Sequence, residues 1–325
     1  MQRRTALAFL SVLAGLEASG LSSAAAASDE IRTVVPFPPG GGGDVLARTV
    51  VDGMVKASGL NLWVQNKPGA GGSIGTAQVA KAEPATGTVG YVTNGILCVN
   101  AHLYGNLGFD PLADLKPIGR LSTLGLLMVL NDKAVPGVTD FQSLIDFARR
   151  HPGELAYGSA GVGTTSHLAG SALAAAMGLE LNHIPHAGGA ASMMEVLAGR
   201  VPFMIDVMPN ALPHAKSGRL KALAVTTPSR SPLLPEVPTM AELGAEGAGI
   251  YAWDGFVAPA GMPDDDVERL NRALQDALAD PEVKARLTKM GAVAEPGTPA
   301  DFAAFIRSEM PKWQALVKTV KATAA

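Results

Sequence analysis

The chain has few of the residues that define several classes of protein. Its only cysteine is Cys98, so no internal disulfide can form. Aromatic residues make up only 5% of the sequence, and 26 basic and 29 acidic residues give a net charge of −3. A chain this close to neutral lacks the basic footprint of a nucleic-acid-binding protein. We therefore predict no nucleic-acid partner, and a core of Ala, Val and Leu in which Cys98 is buried and inert.

Beyond its first residues, the sequence has no run that is long and apolar enough to span a membrane. The N-terminal stretch MQRRTALAFLSVLAGLEASGLSSAAAAS places Arg3 and Arg4 before an apolar run over residues 6–16 and ends in alanines. This order is typical of a secretory signal peptide, cut near Ala27. We predict a signal peptide over residues 1–27 and secretion to the periplasm. The paired arginines leave open whether export uses the Sec or the twin-arginine route.

Strand and helix patterns alternate along the rest of the chain. We predict strands over residues 31–36, 62–65, 89–93, 124–130, 156–159, 181–184, 202–205 and 220–226, most of them followed by a glycine-rich loop or a helix. Predicted helices include residues 44–57, 74–82 and 141–150. This rhythm forms two successive α/β blocks, followed by a proline-punctuated return segment. It predicts an α/β fold with two lobes and a cleft between them.

Three glycine-rich loops, PPGGGGD, KPGAGGS and GSAGVGTTSH, each follow a predicted strand and precede a predicted helix. The first turn of a helix exposes free N–H groups with partial positive charge, and glycine lets an anion approach them closely. The loops therefore predict a site that binds an anion through backbone amides. Asp44 and Ser73 are the predicted N-caps of the first two helices. A phosphate-binding Walker loop is excluded, because Asp44 follows Gly43 where that motif has lysine.

Parts of the sequence are also compatible with two other kinds of site. Gly71-Gly72-Ser73-Ile74-Gly75 matches the G-x-S-x-G motif, so a secreted serine hydrolase using Ser73 is the alternative function. Extra loop between the strand and Ser73 argues against it. His183 and His186, with His167, suggest a metal site, but the intervening proline spoils helical ligand spacing. We expect no metal and no cofactor.

Six motifs follow one another in order along the mature chain. They are VVPFPPGGGGDVLAR, NKPGAGGSIGTAQVAKA, YGSAGVGTTSHLAG, IPHAGGAASMMEVLAGRVPFMID, LPHAKSGRLKALAVTTPSRSPLLPEVPTMAELG and WDGFVAPAGMP. In sequence and spacing they resemble the Bug family of periplasmic solute-binding receptors, the substrate-binding proteins of tripartite tricarboxylate transporters. The resemblance covers essentially the whole mature chain.

The resemblance implies a type II periplasmic-binding-protein fold, in which two α/β lobes enclose a central ligand cleft and crossing strands form the hinge. Lobe 1 would be discontinuous, over residues 28–127 and 225–325, and lobe 2 would span residues 128–224. It implies a non-enzymatic receptor that captures a small organic carboxylate between the lobes. The receptor would deliver this ligand to a membrane permease of a tripartite transporter or to a sensor protein. We expect a monomer.

The resemblance also implies a set of ligand-binding residues. They are Phe37, Gly41, Gly42 and Asp44 of the first loop, Ala70, Gly71 and Ser73 of the second, Thr93 and Asn94 after the third strand, and Thr164, Thr165, Ser166, His167, His186 and Asp206 of the second lobe. Two interpretations of the role of Asp206 stay open. Asp206 either disfavours a second negative charge while accepting from an amino or hydroxyl group, or it caps the helix near Pro209. Gly43, Lys67 and His186-Ala187 depart from the family pattern, so the resemblance does not name the ligand.

Overall fold

The computed structural model describes residues 30–320, and the predicted signal peptide lies outside them. The strands are β1 (Glu30–Val35), β2 (Asn61–Asn66), β3 (Thr88–Thr93), β4 (Leu115–Leu130), β5 (Ala156–Ser159), β6 (Asn182–Pro185), β7 (Phe203–Val207), β8 (Lys221–Val225), β9 (Tyr251–Pro259) and β10 (Ala292–Ala294). The helices are α1 (Gly42–Ser58), α2 (Ser73–Ala80), α3 (Asn100–Leu103), α4 (Phe141–Arg150), α5 (Thr165–Met177), α6 (Gly189–Leu197), α7 (Met208–Lys216), α8 (Asp264–Ala279), α9 (Pro281–Lys289) and α10 (Pro299–Val320). A π-helical turn, Gly95–Val99, precedes α3.

The long strand β4 joins the two halves of the molecule. Its first part, residues 115–125, pairs antiparallel with β9, and its second part, residues 126–130, pairs antiparallel with β7. One half of the sheet therefore runs β2-β1-β3-β9-β4, and the other runs β4-β7-β5-β6. Within each half, three strands are parallel, as crossover helices require. The predicted α/β fold with two lobes is confirmed.

The chain crosses between the lobes along β4 and returns after β8. The two crossings are tied together, because the Leu126 amide donates to Thr226 Oγ1 at 2.8 Å and the Thr226 amide donates to the Leu126 carbonyl at 3.0 Å. Beside them, a Cβ on Gly125 would lie 2.4 Å from the Thr227 methyl group, so a larger residue would force the Thr227 side chain to shift. The predicted lobe boundaries at residues 128 and 225 fall close to this crossing and stay a prediction.

Local sequence signals place several helices well. The predicted helix 141–150 is α4, and Asp140 caps it: the Ser143 amide donates to Asp140 Oδ1 at 2.8 Å, while Ser143 Oγ accepts from the Asp140 amide at 3.0 Å. The predicted caps Asp44 and Ser73 are wrong. The N-caps of α1 and α2 are Gly41 and Gly72, because the glycines allow each helix to begin earlier than the first polar side chain.

One further expectation concerns the core. Cys98 is fully buried, as predicted, and burial raises the pKa of its thiol far above the ordinary range. The final helix α10 buries Phe302, Ile306, Trp313 and Val317 along one face. Within residues 30–320, none of the helices has the length and hydropathy needed to cross a bilayer.

Candidate ligand-binding cleft

A cavity lies where loops of both lobes meet. Its walls are the segments that follow β1, β3, β5 and β6, the end of β7, and parts of β3, β4 and β9. In open α/β sheets this edge, beyond the carboxyl ends of the strands, is where ligands bind.

Four helices of the described chain begin at this cavity. Their first residues, Gly42 of α1, Thr165 of α5, Gly189 of α6 and Met208 of α7, line it or directly follow a residue that does. First-turn N–H groups have no partner within their own helix and carry the positive end of its dipole. Lys, Arg and His are absent from the described residues that line the cavity. Attraction for an anion therefore comes from the backbone rather than from basic side chains.

Asn94 adds a side-chain donor to this wall. It is 0% exposed, and its Oδ1 accepts from Thr165 Oγ1 at 3.0 Å and from the Trp253 amide at 3.4 Å. Because a backbone N–H can only donate, the Trp253 amide fixes which side of the Asn94 carboxamide carries oxygen. The Asn94 Nδ2 group is buried without a partner. Burying a hydrogen-bond donor without a partner destabilises a protein by about 1–3 kcal/mol. A ligand atom that accepts from Asn94 Nδ2 would remove this cost.

The two lobes touch around this cavity. Besides the bond from Thr165 to Asn94, the Tyr104 hydroxyl donates to the Val162 carbonyl at 3.1 Å. A Cβ on Gly95 would lie 2.7 Å from the Gly163 carbonyl oxygen, so the backbones of the two lobes are nearly in contact there. The structure therefore has a closed cleft.

Two buried carboxylates, Asp206 and Asp254, also line the cavity. Asp254 accepts from the Tyr91 hydroxyl at 2.5 Å, from Ser122 Oγ at 2.7 Å and from the Ser122 amide at 2.9 Å. Asp206 accepts from Asn210 Nδ2 at 2.6 Å. Burial raises the pKa of each carboxyl group to about 6, although these hydrogen bonds oppose the shift. No cation of the described chain pairs with either group.

Trp253 forms a fixed apolar wall of the cavity. Its indole N–H donates to Glu309 Oε2 of α10 at 3.1 Å. The same oxygen accepts from the Tyr251 hydroxyl at 2.8 Å and from Trp313 Nε1 at 3.0 Å. Phe302 meets the Trp253 ring edge to face. The C-terminal helix α10 thereby fixes the position of the Trp253 ring through Glu309 and Phe302.

The structure brings nine of the fifteen predicted ligand-binding residues to this cavity: Phe37, Gly41, Gly42, Thr93, Asn94, Thr164, Thr165, Ser166 and Asp206. Three more, Ala70, Gly71 and His186, line an adjoining cavity that shares Phe37, Pro38 and Ala160 with the first. The structure contains no ligand, so contact between these residues and a ligand stays a prediction.

The other three predicted residues face different partners. The Asp44 carboxylate accepts from the Gly40 amide at 2.9 Å and from the side chains of Arg48 and Asn66, so it braces its own loop. Ser73 is buried and its Oγ accepts from Asn100 Nδ2 at 2.8 Å. An amide is no general base, so this geometry gives the serine hydrolase alternative no support.

His167 of α5 is not part of this cavity wall and lines a different pocket together with His183. Its ring stacks on that of His183 with centroids 4.1 Å apart, and His183 Nε2 hydrogen-bonds Ser159 Oγ at 2.6 Å. Burial lowers the pKa of His167 to about 4 and that of His183 to about 3. Neutral stacked rings form a packing contact. Across residues 30–320, His, Cys, Asp and Glu side chains nowhere gather in a group of three that could hold a metal ion.

We expect His167→Gln to change how stability depends on pH. The pKa of a histidine is about 6.5 in an unfolded chain, whereas that of native His167 is about 4. Between these pH values the unfolded state takes up a proton and the native state does not, so the histidine destabilises the fold as pH falls. The melting temperature of the variant relative to wild type should therefore rise when pH is lowered from about 7.5 to about 5.

The effect of His167 is measured as a difference in melting temperature between variant and wild type, because Asp206 and Asp254 change the stability of both proteins with pH in the opposite direction. Their pKa values are raised, so the native state takes up protons first as pH falls through about 6 and gains stability. His102→Gln changes an exposed histidine and is the matched control. A constant difference between the His167→Gln and wild-type melting temperatures across this pH range would contradict the assignment of His167 as a buried neutral ring.

Several cavity residues were not predicted from the sequence. They are Pro38, Gly43, Leu46, Tyr91, Leu124, Ala160, Gly189, Ala190, Val207, Ala252, Trp253 and Asp254. One signal was available: HAGGAA, which joins β6 to the first turn of α6, is a fourth glycine-rich turn from strand to helix. Tyr91 and Asp254 carry no such local signal, because pairing between β3 and β9 brings them together across 163 residues of chain.

Comparisons with known proteins agree with this geometry. The UPF0065 protein of the tcbD-tcbE intergenic region of Pseudomonas sp. (strain P51) is 38% identical over 291 residues, which cover 89% of this chain and 86% of that protein. The structure of the periplasmic binding protein BugD superposes with a TM-score of 0.85 at 33% identity, over 90% of this chain and 98% of that one.

Two further solved structures contain a ligand. Rpa4515 of R. palustris with adipate has a TM-score of 0.86 at 32% identity, over 90% of this chain and 98% of that one. MatC (Rpa3494) of Rhodopseudomonas palustris with bound malate has a TM-score of 0.83 at 29% identity, over 89% of this chain and 99% of that one. The sequence profile described as "Tripartite tricarboxylate transporter family receptor" matches residues 46–322. The chain belongs to this family of periplasmic solute-binding receptors.

Proposed function

We propose that this protein captures a small organic carboxylate in the cleft and passes it to a membrane permease of a tripartite transporter or to a sensor protein. The observation that carries the proposal is the meeting of four helix N-termini at a cavity without a basic side chain. Such an arrangement attracts a carboxylate through amides alone. The adipate and malate bound by two relatives support the same chemistry.

The proposed contacts are the nine predicted residues that line the cavity. Gly42 and Thr165 begin helices there, and Asn94 offers its unpaired Nδ2. Trapped water is expected to complete the shell, since bridged contacts are nearly as favourable as direct ones. Ala70, Gly71 and His186 would contact only a ligand long enough to reach the adjoining cavity.

We further propose that residues 1–27 direct export and that the mature receptor acts as a monomer without enzymatic activity. Membership in a family of periplasmic receptors supports the location. The absence of turnover would follow from the buried setting of Ser73 and its amide partner. Mass spectrometry of the protein recovered from the periplasm tests the cut near Ala27.

Ligand binding is tested on the mature protein after unfolding and refolding, which removes any compound that co-purifies. We expect some small carboxylates, but not the matching amides, to raise the melting temperature. A ligand at 100 times its Kd stabilises the fold by about 2.7 kcal/mol. Calorimetric titration then gives the Kd. If mono-, di- and tricarboxylates and aromatic acids all fail to bind, or if the amides bind equally well, the proposal is wrong.

A further inference from the structure

The charges around the cleft are arranged for one anion and not for two. Unpaired donors gather on one part of the wall, where α1 and α5 begin and where Asn94 Nδ2 is buried without a partner. The Asn94 Nδ2 group is a side-chain donor that does not belong to a helix end, and it too lacks a hydrogen-bond acceptor. Together these donors fit a single carboxylate, which accepts up to about four hydrogen bonds.

The other two helix N-termini already have an anion of the protein beside them. Asp206 lies at the end of β7, immediately before α7, and its Oδ2 accepts from Asn210 of that helix at 2.6 Å. A Cβ on Gly189, the first residue of α6, would lie 2.8 Å from the same oxygen. The Asp206 carboxylate therefore occupies the place where a second carboxylate of a ligand would otherwise bind.

Asp206 retains unused acceptor capacity, and neither acid has a counter-ion in the described chain. Asp206 receives two hydrogen bonds, from Asn210 Nδ2 and from the Val207 amide, against a capacity of about four, whereas Asp254 already receives four from Tyr91, Ser122 and its own amide. Lys, Arg and His are missing from the cavity walls that the structure describes. A positively charged group on the ligand would supply the counter-ion that these buried carboxylates lack.

We infer that the cleft takes a small compound with one carboxylate and one ammonium group, and that it discriminates against dicarboxylates; this inference rests on the proposed function. The carboxylate binds the amides of α1 and α5 and the Asn94 Nδ2 group. The ammonium group donates to Asp206 and lies in the negative field of Asp254. This ligand class differs from the adipate bound by Rpa4515, a relative 32% identical to this chain.

The test compares compounds that differ only in one group, using refolded mature protein and calorimetric titration. β-Alanine, 4-aminobutyrate and 5-aminopentanoate are each matched with the dicarboxylate and the monocarboxylate in which the ammonium is replaced by a carboxylate or a methyl group. L-Alanine, methylmalonate and isobutyrate form the corresponding set for α-amino acids. We expect the best amino compound to bind at least about tenfold more tightly than its dicarboxylate partner, because like charges in a buried site repel strongly.

Asp206→Asn tests the assignment of the ammonium partner. The variant keeps the shape of the side chain and an oxygen that can accept from Asn210, so the fold should be retained; a melting curve without ligand checks this. We expect the preference to shift by at least about tenfold towards the dicarboxylate. Glu246→Gln, which changes an exposed carboxylate outside the cleft, should leave the preference as it is in wild type.

The outcomes separate the two proposals. If a dicarboxylate binds wild type as tightly as its amino partner, or if Asp206→Asn leaves the preference unchanged, the inference is overturned while the carboxylate receptor stands. If no carboxylate of any of these classes binds, the proposed function fails and the inference fails with it.

Discussion

Asn94→Asp should weaken carboxylate binding by at least about 100-fold. The substitution keeps an oxygen that accepts from Thr165 and from the Trp253 amide. It replaces the unpaired Nδ2 donor by a second oxygen in a wall that already contains Asp206 and Asp254. The lost hydrogen bond to a charged group contributes about 1.5–3 kcal/mol, and placing like charges together costs several kcal/mol more. Calorimetric titration of a carboxylate found in the ligand screen measures the change.

Two variants separate this effect from others. Asn106→Asp makes the same chemical change at an exposed position outside the cavity and should retain wild-type affinity. Thr165→Val removes the hydroxyl that joins the lobes through Asn94 but leaves the Asn94 Nδ2 donor in place, and it should weaken binding by only about fivefold, the equivalent of about 1 kcal/mol. If Asn94→Asp binds the carboxylate as wild type does, Asn94 does not contact the ligand.

Gly95→Ala should weaken ligand binding by preventing full closure of the cleft. The added Cβ would lie 2.7 Å from the Gly163 carbonyl oxygen of the other lobe, and a backbone atom cannot rotate away. Gly95 starts a π-helical turn, and its φ is not in the left-handed region, so alanine fits the open form without strain. Overpacking of this kind costs about 1–3 kcal/mol, which corresponds to about 5- to 150-fold in Kd.

The change should act on closure and not on folding. We expect the melting temperature of Gly95→Ala without ligand to equal or exceed that of wild type, because alanine reduces the entropy of the unfolded chain. Small-angle scattering should show the variant remaining more extended than wild type when ligand is added. Gly105→Ala, where the Cβ meets no atom within 4 Å, is the control. Wild-type affinity in Gly95→Ala would mean that ligand binding does not need this contact.

The sequence predicts well those elements whose signals are local. The helix α4 has the predicted bounds, because Asp140 and Ser143 cap it and a sharp apolar stripe faces the core. The strand β5 likewise has its predicted bounds. The glycine-rich loops predict where the chain exposes free amides, and five of the nine predicted residues of the cleft lie in them: Gly41, Gly42, Thr164, Thr165 and Ser166.

The parts that sequence patterns missed depend on contacts between distant segments. The strand β10 has only three residues, and it exists because β4 offers a partner. Asp254 and Tyr91 meet only through pairing between β9 and β3. Asp44 was predicted to contact the ligand, yet its loop folds back so that the Gly40 amide and Asn66 bind the carboxylate first. No local pattern distinguishes a carboxylate that braces a loop from one that faces a cavity.

The burial of Cys98 makes the molecule suitable as an optical sensor. Its thiol is the only one in the chain, is 0% exposed and is hard to ionise, so alkylating dyes have no native target. A single cysteine introduced on the exposed surface of α6, for example in place of Met194, would accept one fluorophore at a known position. Because α6 begins at the cleft, the emission of that dye could report occupancy without any change to the residues that enclose the ligand.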